Sequence, residues 1–480
     1  MVDRPHETPT DNPAGPGGPQ ARTVSVAGAH THTHTRAHAP ASIGPPAPAI
    51  APLPAAVPEA ALPAQETAAL EPLPAARAIN YSVANLGASV FYGLFNFGMP
   101  LYLDTYRLSP ELIGLLANER SFVGAIAQPI VGRISDRTRT PLGRRRPFFL
   151  IGIPLVCVGL FLLALHPPFW VMFAIMTVLA FFLSVAWDPY MALMADLFPP
   201  HQRGRVGGLI GLGTGLGNII FALLALFMWK NNEFGVFLLV IGVLLLTWVY
   251  TFITVKEPPP PAAHQQAEAR KTPIRPDPIT YIRGLLKYPQ AAKYTLALSL
   301  WWLGTGGVVP FITLFGEKVL GAGRDEVFIL PLAAVLANAL SAVPFGFVAD
   351  RIGKKPVMTV GMVFFALVAL VGSQSQNLTQ ATVALALAGM ANGALALINP
   401  MLSDLVPRTR MAEFIGLGSA VFSFAQPLGS VAAGFVIGIA ANFLPEHDAY
   451  RWSFIAAGGW VLLAVALLQT VRPERAVTDE

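Results

Sequence analysis

Three charged residues lie within long apolar stretches of this 480-residue chain, namely Glu119, Arg120 and Asp188. A charge in an apolar medium is costly unless it is paired, so we expect Asp188 to pair with Arg120 when deprotonated and to leave it when a proton or a ligand arrives. A permanent structural ion pair is the open alternative. Glu119 projects about 100° away from Arg120 on a helix, and is either a second proton-coupling group or a carboxylate that extends towards outer water.

A second set of residues has the chemistry to bind a polar, ring-shaped ligand. Indole faces cover the apolar side of such a ring, and side-chain amides bond to its hydroxyl groups. The candidates are Trp187, Trp301, Trp302, Asn96, Asn218, Asn392, Asn399 and Gln426. Two alternatives stay open, since the tryptophans could anchor helix ends at a membrane surface and the amides could hold neighbouring helices together.

The motifs of several other protein classes are missing from the sequence. No Gly-x-Ser-x-Gly, His-Glu-x-x-His or Walker A pattern is present, so we predict that the chain is not an enzyme and needs no cofactor. Its one cysteine, Cys157, allows neither a disulfide framework nor a Cys-x-x-Cys metal site, and we predict no metal. The formal charge of +5 comes with no nucleic-acid-binding motif, so we expect no nucleic-acid partner.

The candidate residues are carried by apolar runs of membrane-spanning length. The chain is 54% hydrophobic and 12% charged, and about 20 apolar residues suffice for a helix to cross roughly 30 Å of hydrocarbon. We therefore predict an all-α membrane protein with twelve transmembrane helices. The spans are residues 81–103, 111–132, 147–166, 169–193, 206–229, 234–254, 293–315, 327–348, 356–373, 381–402, 415–441 and 452–471.

Lysine and arginine residues concentrate on one side of this arrangement. The loop containing Arg137 to Arg146 and the loop containing Arg351 to Lys355 are both strongly basic, whereas the opposite loops hold few cations. Cytoplasmic loops of membrane proteins carry such an excess. We therefore predict a multi-pass protein of the cell membrane with both termini in the cytoplasm.

Composition also divides the chain into segments. Residues 1–78 are rich in Pro, Ala and His and have no periodic apolar face, which predicts a disordered tail. Within the tail, His30, His32 and His34 alternate, and this pattern indicates either simple low complexity or metal and pH sensing. The other predicted segments are a six-helix bundle at 79–256, a cytoplasmic linker at 257–291, a second bundle at 292–472 and a short tail at 473–480.

Two pairs of loop sequences repeat between the halves. "GRISDRTRTPLGRRRP" at Gly132 matches "GFVADRIGKKP" at Gly346, and "DPYMALMADLFP" at Asp188 matches "NPMLSDLVP" at Asn399. Repeats of this kind are typical of secondary transporters, in which the binding site lies near the membrane midplane between the halves. The sequence therefore predicts two six-helix pseudo-repeats.

These loops resemble motif A of the major facilitator superfamily. "QPIVGRISDRTRTPLGRRRPF" is similar to the sucrose transporter branch of the glycoside-pentoside-hexuronide cation symporters, and "PYMALMADL" and "LWWLGTGGVVPFITLF" resemble that branch more loosely. The resemblance implies the major facilitator fold and symport of a proton with a disaccharide or other glycoside, such as sucrose or maltose. We expect a monomer whose partners are the sugar, the proton and membrane lipids.

The resemblance to motif A also implies a conformational latch. Asp136 would face a helix N-terminus and Arg137 would bond to Asp196, which would hold the outward-facing state. Arg144, Arg145 and Arg146 are expected instead to bind anionic lipid and to fix the topology. The predicted latch residues are Gly132, Asp136, Arg137, Asp196, Gly346, Asp350 and Arg351.

One departure from the family favours a proton as the coupling ion. Gln128 and Gly124 stand where the sodium-using melibiose branch has acidic residues, and a single carboxyl group suffices to carry a proton. Two other functions stay open. One is an exporter of drugs or other small molecules, although the fifth span lacks the Gly-Pro-x-x-Gly-Gly pattern of many drug antiporters. The other is a transport-dead sensor on the same fold, with the His-rich tail as its receptor element.

Overall fold

The computed structural model describes residues 75–257, 288–407 and 411–472, which are almost entirely helical. The first half contains α1 (Ala75–Asp104), α2 (Pro110–Leu116 and Glu119–Arg137), α3 (Arg146–Ala164), α4 (Phe169–Leu197), α5 (Pro200–Met228) and α6 (Glu233–Thr254). The second half contains α7 (Pro289–Lys318), α8 (Glu326–Ile352), α9 (Lys354–Gly372), α10 (Leu378–Leu402), α11 (Met411–Ala441) and α12 (Arg451–Gln469), with a short helix, Glu446–Ala449, before α12.

Eleven helices in the described ranges are long and apolar enough to cross a membrane. The exception is α2, which is broken at Ala117 and Asn118 and carries several charged residues in its longer piece. The helix is present, but these charges make α2 less apolar than an ordinary membrane span. The predicted all-α membrane fold is confirmed, and the span predicted at 111–132 consists of two helical pieces.

The two halves repeat the same set of helix contacts. In the first half α1 packs on α5 and α6, α2 on α4, and α3 on α6. In the second half α7 packs on α11 and α12, α8 on α10, and α9 on α12. Each pairing in the second half is a first-half pairing shifted by six helices, so the predicted pseudo-repeats are confirmed.

Glycines bring the paired helices close together at corresponding places. A Cβ atom on Gly217 of α5 would lie 2.6 Å from the Leu86 carbonyl oxygen of α1, and a Cβ atom on Gly429 of α11 would overlap the Leu303 carbonyl of α7. Apolar side chains gain little by leaving lipid, so close backbone packing at small residues is a main source of helix association in membranes. Close packing at a glycine therefore fixes α1 against α5 in the first half and α7 against α11 in the second half.

We call the end of the bundle where the described chain begins and finishes the near end. There the Arg77 side chain donates to the Lys256 carbonyl at 3.2 Å, and the Lys355 side chain donates to the Val471 carbonyl at 2.7 Å. The connections that follow α1, α3, α5, α7, α9 and α11 lie at the opposite, far end. The positive-inside bias predicts that the near end faces the cytoplasm.

The two halves are joined at the far end. The Thr313 hydroxyl of α7 donates to the Phe97 carbonyl of α1 at 2.9 Å, and the Ser430 hydroxyl of α11 donates to the Gly114 carbonyl of α2 at 2.7 Å. Phe328 of α8 packs against two aromatic rings at the end of α5. One apolar core accordingly runs through the first half and continues across the far end into the second.

Ion pairs reinforce this junction. Asp104, at the end of α1, lies 2.9 Å from the Lys318 Nζ atom and 3.6 Å from the Arg324 Nη2 atom, and both cations belong to the second half. The Arg324 Nε atom also lies 2.8 Å from Glu317 Oε1. The Asp104 side chain is only 12% exposed, so these pairs are partly shielded from water.

Asp104→Asn should therefore shift the protein towards conformations with an open far end. Loss of a partly exposed ion pair weakens the junction by about 1 kcal/mol, roughly a fivefold change in the ratio of the two states. Spin labels at Arg107 and Glu326 would report the distance across the far end. Lys230→Gln removes an exposed far-end charge with no ion pair in the described ranges, and an equal shift in this control would contradict the prediction.

Towards the near end the two halves diverge. A Cβ atom on Gly204, Gly207 or Gly211 of α5 would have no atom within 4 Å, and the same holds for Gly132 of α2 and Gly346 of α8. These helices belong to the pairs, α5 with α8 and α2 with α11, that join the halves at the far end. The structure is thus closed at the far end and open at the near end.

Some segment boundaries differ from the predictions. Residues 75–78, assigned to the disordered tail, form the first turn of α1, and α7 begins at Pro289, within the predicted linker. Both helices start earlier because they extend beyond their apolar cores into polar sequence. Residues 1–74 with their alternating histidines, 258–287 and 473–480 lie outside the described residues, so the tail and linker assignments there stay predictions.

Candidate functional site

Arg120 is held inside the first half by a wide turn of α1. Residues Leu94–Gly98 form a π-helical turn, which Pro100 favours because it has no N–H to donate to the carbonyl four residues earlier. Such turns often occur at functional sites. The Arg120 Nη2 atom donates to Asn96 Oδ1 at 2.8 Å, and its guanidinium carbon lies 5.0 Å from the centre of the Tyr92 ring. A cation over an aromatic face is stabilised when it is desolvated.

Asp188 reaches the same aromatic ring from α4. The Gln128 side chain of α2 lies near the Asp188 carboxylate, whose Oδ2 atom is buried without a partner in the described part of the chain. The neighbouring Trp187 ring meets the Tyr92 ring edge to face, with ring centres 5.7 Å apart. Tyr92 therefore lies close to both charged groups.

The expected ion pair between Asp188 and Arg120 is not formed in this conformation within the described ranges, because Arg120 bonds to Asn96 instead. The Arg120 Nη1 atom is buried and unpartnered, as is Asp188 Oδ2. An unsatisfied buried polar group costs about 1–3 kcal/mol. A hydroxyl group both donates and accepts, so a ligand rich in hydroxyls would satisfy this donor and this acceptor together.

Glu119 occupies a separate position between α2 and α4. The residue is only 8% exposed, and its Oε1 atom lies within hydrogen-bonding distance of the Thr177 hydroxyl of α4. The alternative in which Glu119 extends to outer water is therefore wrong. The physical reason is the break in α2, because Glu119 begins the second piece of that helix where α4 covers it.

The two tryptophans of α7 have different surroundings. Trp301 is 1% exposed and packs on Phe365 of α9 with ring centres 4.9 Å apart, so it is a core residue of the second half. Neither predicted role, ligand platform or helix-end anchor, agrees with this burial. Trp302 points to another side of the helix, where its half-buried ring lies 6.1 Å from the Phe422 ring of α11.

The remaining amide candidates are distributed over both halves. The Asn218 amide donates to the Thr214 carbonyl of its own helix at 2.8 Å, and Asn392 is half-buried where α10 tightens into a 3-10 turn. Gln426 is half-buried on α11, whereas Asn399 is exposed. Among the described residues, the cluster around Arg120 and Asp188 thus contains Asn96 and Trp187 but none of the second-half candidates.

Two members of this cluster, Tyr92 and Gln128, were not predicted as ligand or coupling residues. Tyr92 precedes Asn96 by four residues, and Gln128 follows Arg120 by eight. Residues at these spacings share one face of a helix. The sequence could have indicated Tyr92 and Gln128 through this spacing, because each lies one or two helical turns from a predicted site residue.

At the near end, the residues that bind Asp196 in this conformation differ from the predicted latch. Asp196 of α4 is bound by Arg144 Nη2 at 2.8 Å and by Arg145 Nε at 2.6 Å, and the contact predicted between Arg137 and Asp196 for the outward-facing state is not among the described contacts. Arg145 also lies 3.5 Å from Asp136. Two arginines that were expected to bind lipid are therefore the residues that fix the end of α4.

A tight turn between α2 and α3 explains this exchange of roles. Thr140 pairs with Gly143, whose φ of +112° is accessible to glycine, and the turn directs the chain back towards α4. The Arg145 N–H donates to Glu257 Oε2 at 2.9 Å, which places an anion at the start of α3, where the helix dipole favours it. Arg146 donates to a backbone carbonyl of α6 at 2.5 Å.

The second half repeats this arrangement with lysines. The Lys354 Nζ atom lies 2.7 Å from Asp404, just after the end of α10, and Lys355 donates to the carbonyls of Gln469 and Val471 at the end of α12. Lys354 and Lys355 thus correspond to Arg145 and Arg146. The other predicted latch residues, Gly132, Asp136, Arg137, Gly346, Asp350 and Arg351, lie at the open near end, and within the described ranges no contact of theirs joins the two halves.

Comparisons with known proteins agree with this architecture. Residues 81–337 and 327–480 match the Major Facilitator Superfamily. The Multidrug resistance protein MdtG of Escherichia coli O9:H4 (strain HS) is 25% identical over 410 residues, which are 80% of this chain and 92% of that protein.

Solved structures share the fold at lower identity. A bacterial homologue of the human lysosomal transporter Spinster, in an inward-facing and occupied conformation, has a TM-score of 0.65 at 16% identity, over 84% of this chain and 98% of its own. The nucleoside transporter NupG has a TM-score of 0.63 at 14% identity, over 82% and 98%. The family match extends over both halves, and the chain belongs to the major facilitator superfamily of membrane transporters rather than to an enzyme family.

Proposed function

We propose that the protein is a proton-coupled symporter of a disaccharide or other glycoside. The observation that carries the proposal is the buried donor and acceptor, Arg120 Nη1 and Asp188 Oδ2, beside the Tyr92 and Trp187 rings. A sugar offers hydroxyl groups to the polar atoms and an apolar face to the rings. The loop sequences that resemble the sucrose transporter branch support the same substrate class.

Alternating access would follow from the two ends of the bundle. With the near end in the cytoplasm, the present conformation faces inward, and the far-end junction would have to open for sugar to enter from outside. Protonation of Asp188 would remove its attraction to Arg120 and leave both groups free for sugar. Asp188, Glu119 and Arg120 thus remain the proposed coupling residues. Trp302, Asn392, Asn399 and Gln426 remain proposed second-half contacts for the sugar, and Asn218 remains a proposed contact from α5 of the first half.

Uptake by proteoliposomes tests this function. Radiolabelled sucrose, maltose and other glucosides should accumulate when a proton gradient is imposed, and omission of sodium should not reduce the accumulation. Accumulation that requires sodium would overturn the choice of proton. Failure of every saccharide to enter would overturn the proposed substrate class.

A second candidate, export of drugs or other small molecules, is supported by the similarity to the multidrug resistance protein MdtG. An exporter of amphipathic compounds would be expected to have a mostly apolar cavity, whereas the described first-half site contains a cation, a carboxylate and two amides. The same proteoliposomes separate the two functions. Proton-driven movement of a lipophilic cation opposite to the proton, without sugar accumulation, would support the exporter.

The proposed orientation has its own test. Thr138 ends α2 at the near end, and a Thr138→Cys variant in a Cys157→Ala background presents a single thiol there. We expect an impermeant maleimide to label this thiol in opened cells and to leave it unlabelled in intact cells. Rapid labelling from outside intact cells would place the near end outside and contradict the predicted topology.

A further inference from the structure

The hydrogen-bond geometry around Thr177 indicates the protonation state of Glu119. The Thr177 hydroxyl oxygen lies within hydrogen-bonding distance of two acceptors, the Phe173 carbonyl at 3.0 Å and the Glu119 Oε1 atom. A hydroxyl has one hydrogen and can donate to only one of them. A bond to the carbonyl four residues earlier is the usual one for threonine in a helix. The hydrogen between Thr177 and Glu119 is then supplied by a protonated Glu119 carboxyl.

The surroundings of Glu119 favour the neutral acid as well. The residue is only 8% exposed, its Oε2 atom has no hydrogen-bond partner, and no ion pair to it is found in the described ranges. The charged groups nearest to it along α2 and α4 are three. They are Arg120, which is directed to Asn96 and Tyr92, Glu111 two turns before it on the other piece of α2, and Asp188, about 16 Å along α4 from Thr177.

The third helix in contact with α2 adds no cation. Residues 421–441 of α11 contain no charged side chain. An ionised carboxylate without a counter-ion is far more costly in such a place than a neutral carboxyl group. The neutral form therefore satisfies both the hydrogen bond and the electrostatics of the site.

The break in α2 connects this site to the junction of the halves. The far-end piece, Pro110–Leu116, is fixed to α11 through the Ser430 hydroxyl and the Gly114 carbonyl, and Glu119 begins the next piece only three residues later. Separation of α2 from α11 at the far end would expose this break to water. A route for a proton to Glu119 would open with it.

We propose that Glu119 is a second proton-binding site, distinct from Asp188, that takes up a proton from far-end water when α2 and α11 separate and holds it in the closed conformation. The proton adds to the carboxylate oxygen and is given up towards the near end later in the cycle. This transport role rests on the proposed proton-coupled function. The protonated state itself does not depend on that function.

Infrared spectroscopy of the purified full-length protein in lipid nanodiscs tests the protonated state without any substrate. Near neutral pH we expect a protonated-carboxyl C=O band that disappears in Glu119→Gln and moves in Thr177→Val, because the second variant removes the hydrogen-bond partner. Glu326→Gln, which changes an exposed far-end carboxylate, should leave the band in place. An identical carboxyl spectrum in Glu119→Gln and in the unmodified protein would overturn the proposal, even if sugar transport is observed.

Proton counting tests the transport role. We expect Glu119→Gln to retain sugar exchange and to move one proton fewer per sugar, which lowers the accumulation ratio about tenfold for each pH unit of gradient. The double variant with Asp188→Asn should lose a further factor of about ten at the same gradient. An unchanged proton count in Glu119→Gln would overturn the second site. Absence of sugar transport in the unmodified protein would overturn only the proposed function, because the infrared result stands separately.

Discussion

In Asp188→Asn, the sugar accumulation driven by a gradient of one pH unit should fall about tenfold, because one proton fewer per sugar removes about 1.4 kcal/mol of driving force. An asparagine at this position resembles the protonated carboxyl group and cannot give up a proton. Exchange of labelled for unlabelled sugar, which needs no net proton movement, should persist. The measurement is the steady-state ratio of internal to external sugar in proteoliposomes, together with the rate of exchange at equal pH.

Two further variants allow the result to be interpreted. Glu326→Gln removes an exposed carboxylate at the far-end start of α8 and should leave the accumulation ratio unchanged. Arg120→Gln should keep the fold but weaken sugar binding, because it removes the cation that faces Tyr92 and the unpartnered donor. If Asp188→Asn accumulates sugar as well as the unmodified protein, Asp188 is a structural residue and has no part in coupling.

The global architecture was predictable because it depends on averaged properties of long segments. Apolar runs predicted twelve spans, of which eleven helices in the described ranges are long and apolar enough to cross a membrane, and the repeated loops predicted that α1 to α6 and α7 to α12 would make equivalent contacts. Both signals are redundant, since any one residue in a span can change without altering the length of the run. The same apolar runs also predicted that Asp188 and Arg120 lie in the same half.

The geometry of the site was less predictable because it depends on local departures from regular helix. The π-helical turn Leu94–Gly98 brings Asn96 to Arg120, and no apolar pattern distinguishes such a turn from ordinary helix. The break before Glu119 similarly decides that this carboxyl group is buried. For Trp301 and Trp302, a rotation of about 100° between successive residues separates a core position from one near α11.

The near-end contacts were also difficult to predict from the sequence. Arg137 and Arg145 lie at opposite ends of the same loop, and both could in principle reach Asp196. In the structure Arg145, at the start of α3, contacts Asp196, and the tight turn at Gly143, with its positive φ, lies between the two arginines. Lys354 makes the equivalent contact with Asp404 in the second half, where the loop is shorter.

A single methyl group at Gly114 should disturb the balance between the two ends of the protein. A Cβ atom there would lie 2.5 Å from the Ser430 carbonyl oxygen and 3.1 Å from its carbonyl carbon, so the obstacle is backbone that cannot rotate away. Overpacking of this kind costs about 1–3 kcal/mol. The cost falls only on the conformation in which α2 and α11 are in contact.

Gly114→Ala should therefore favour opening of the far end, with a change of about 5–150-fold in the ratio of the two conformations for that range of energy. Distances between spin labels at Arg107 and Glu326 would lengthen across the far end, and the near end would close. Gly242→Ala is the matched control, because a Cβ atom on Gly242 of α6 has no atom within 4 Å. Ser430→Ala removes the hydrogen bond to Gly114 without adding bulk, so it should shift the ratio less. Unchanged distances in a folded Gly114→Ala protein would show that contact between α2 and α11 does not control access to the site.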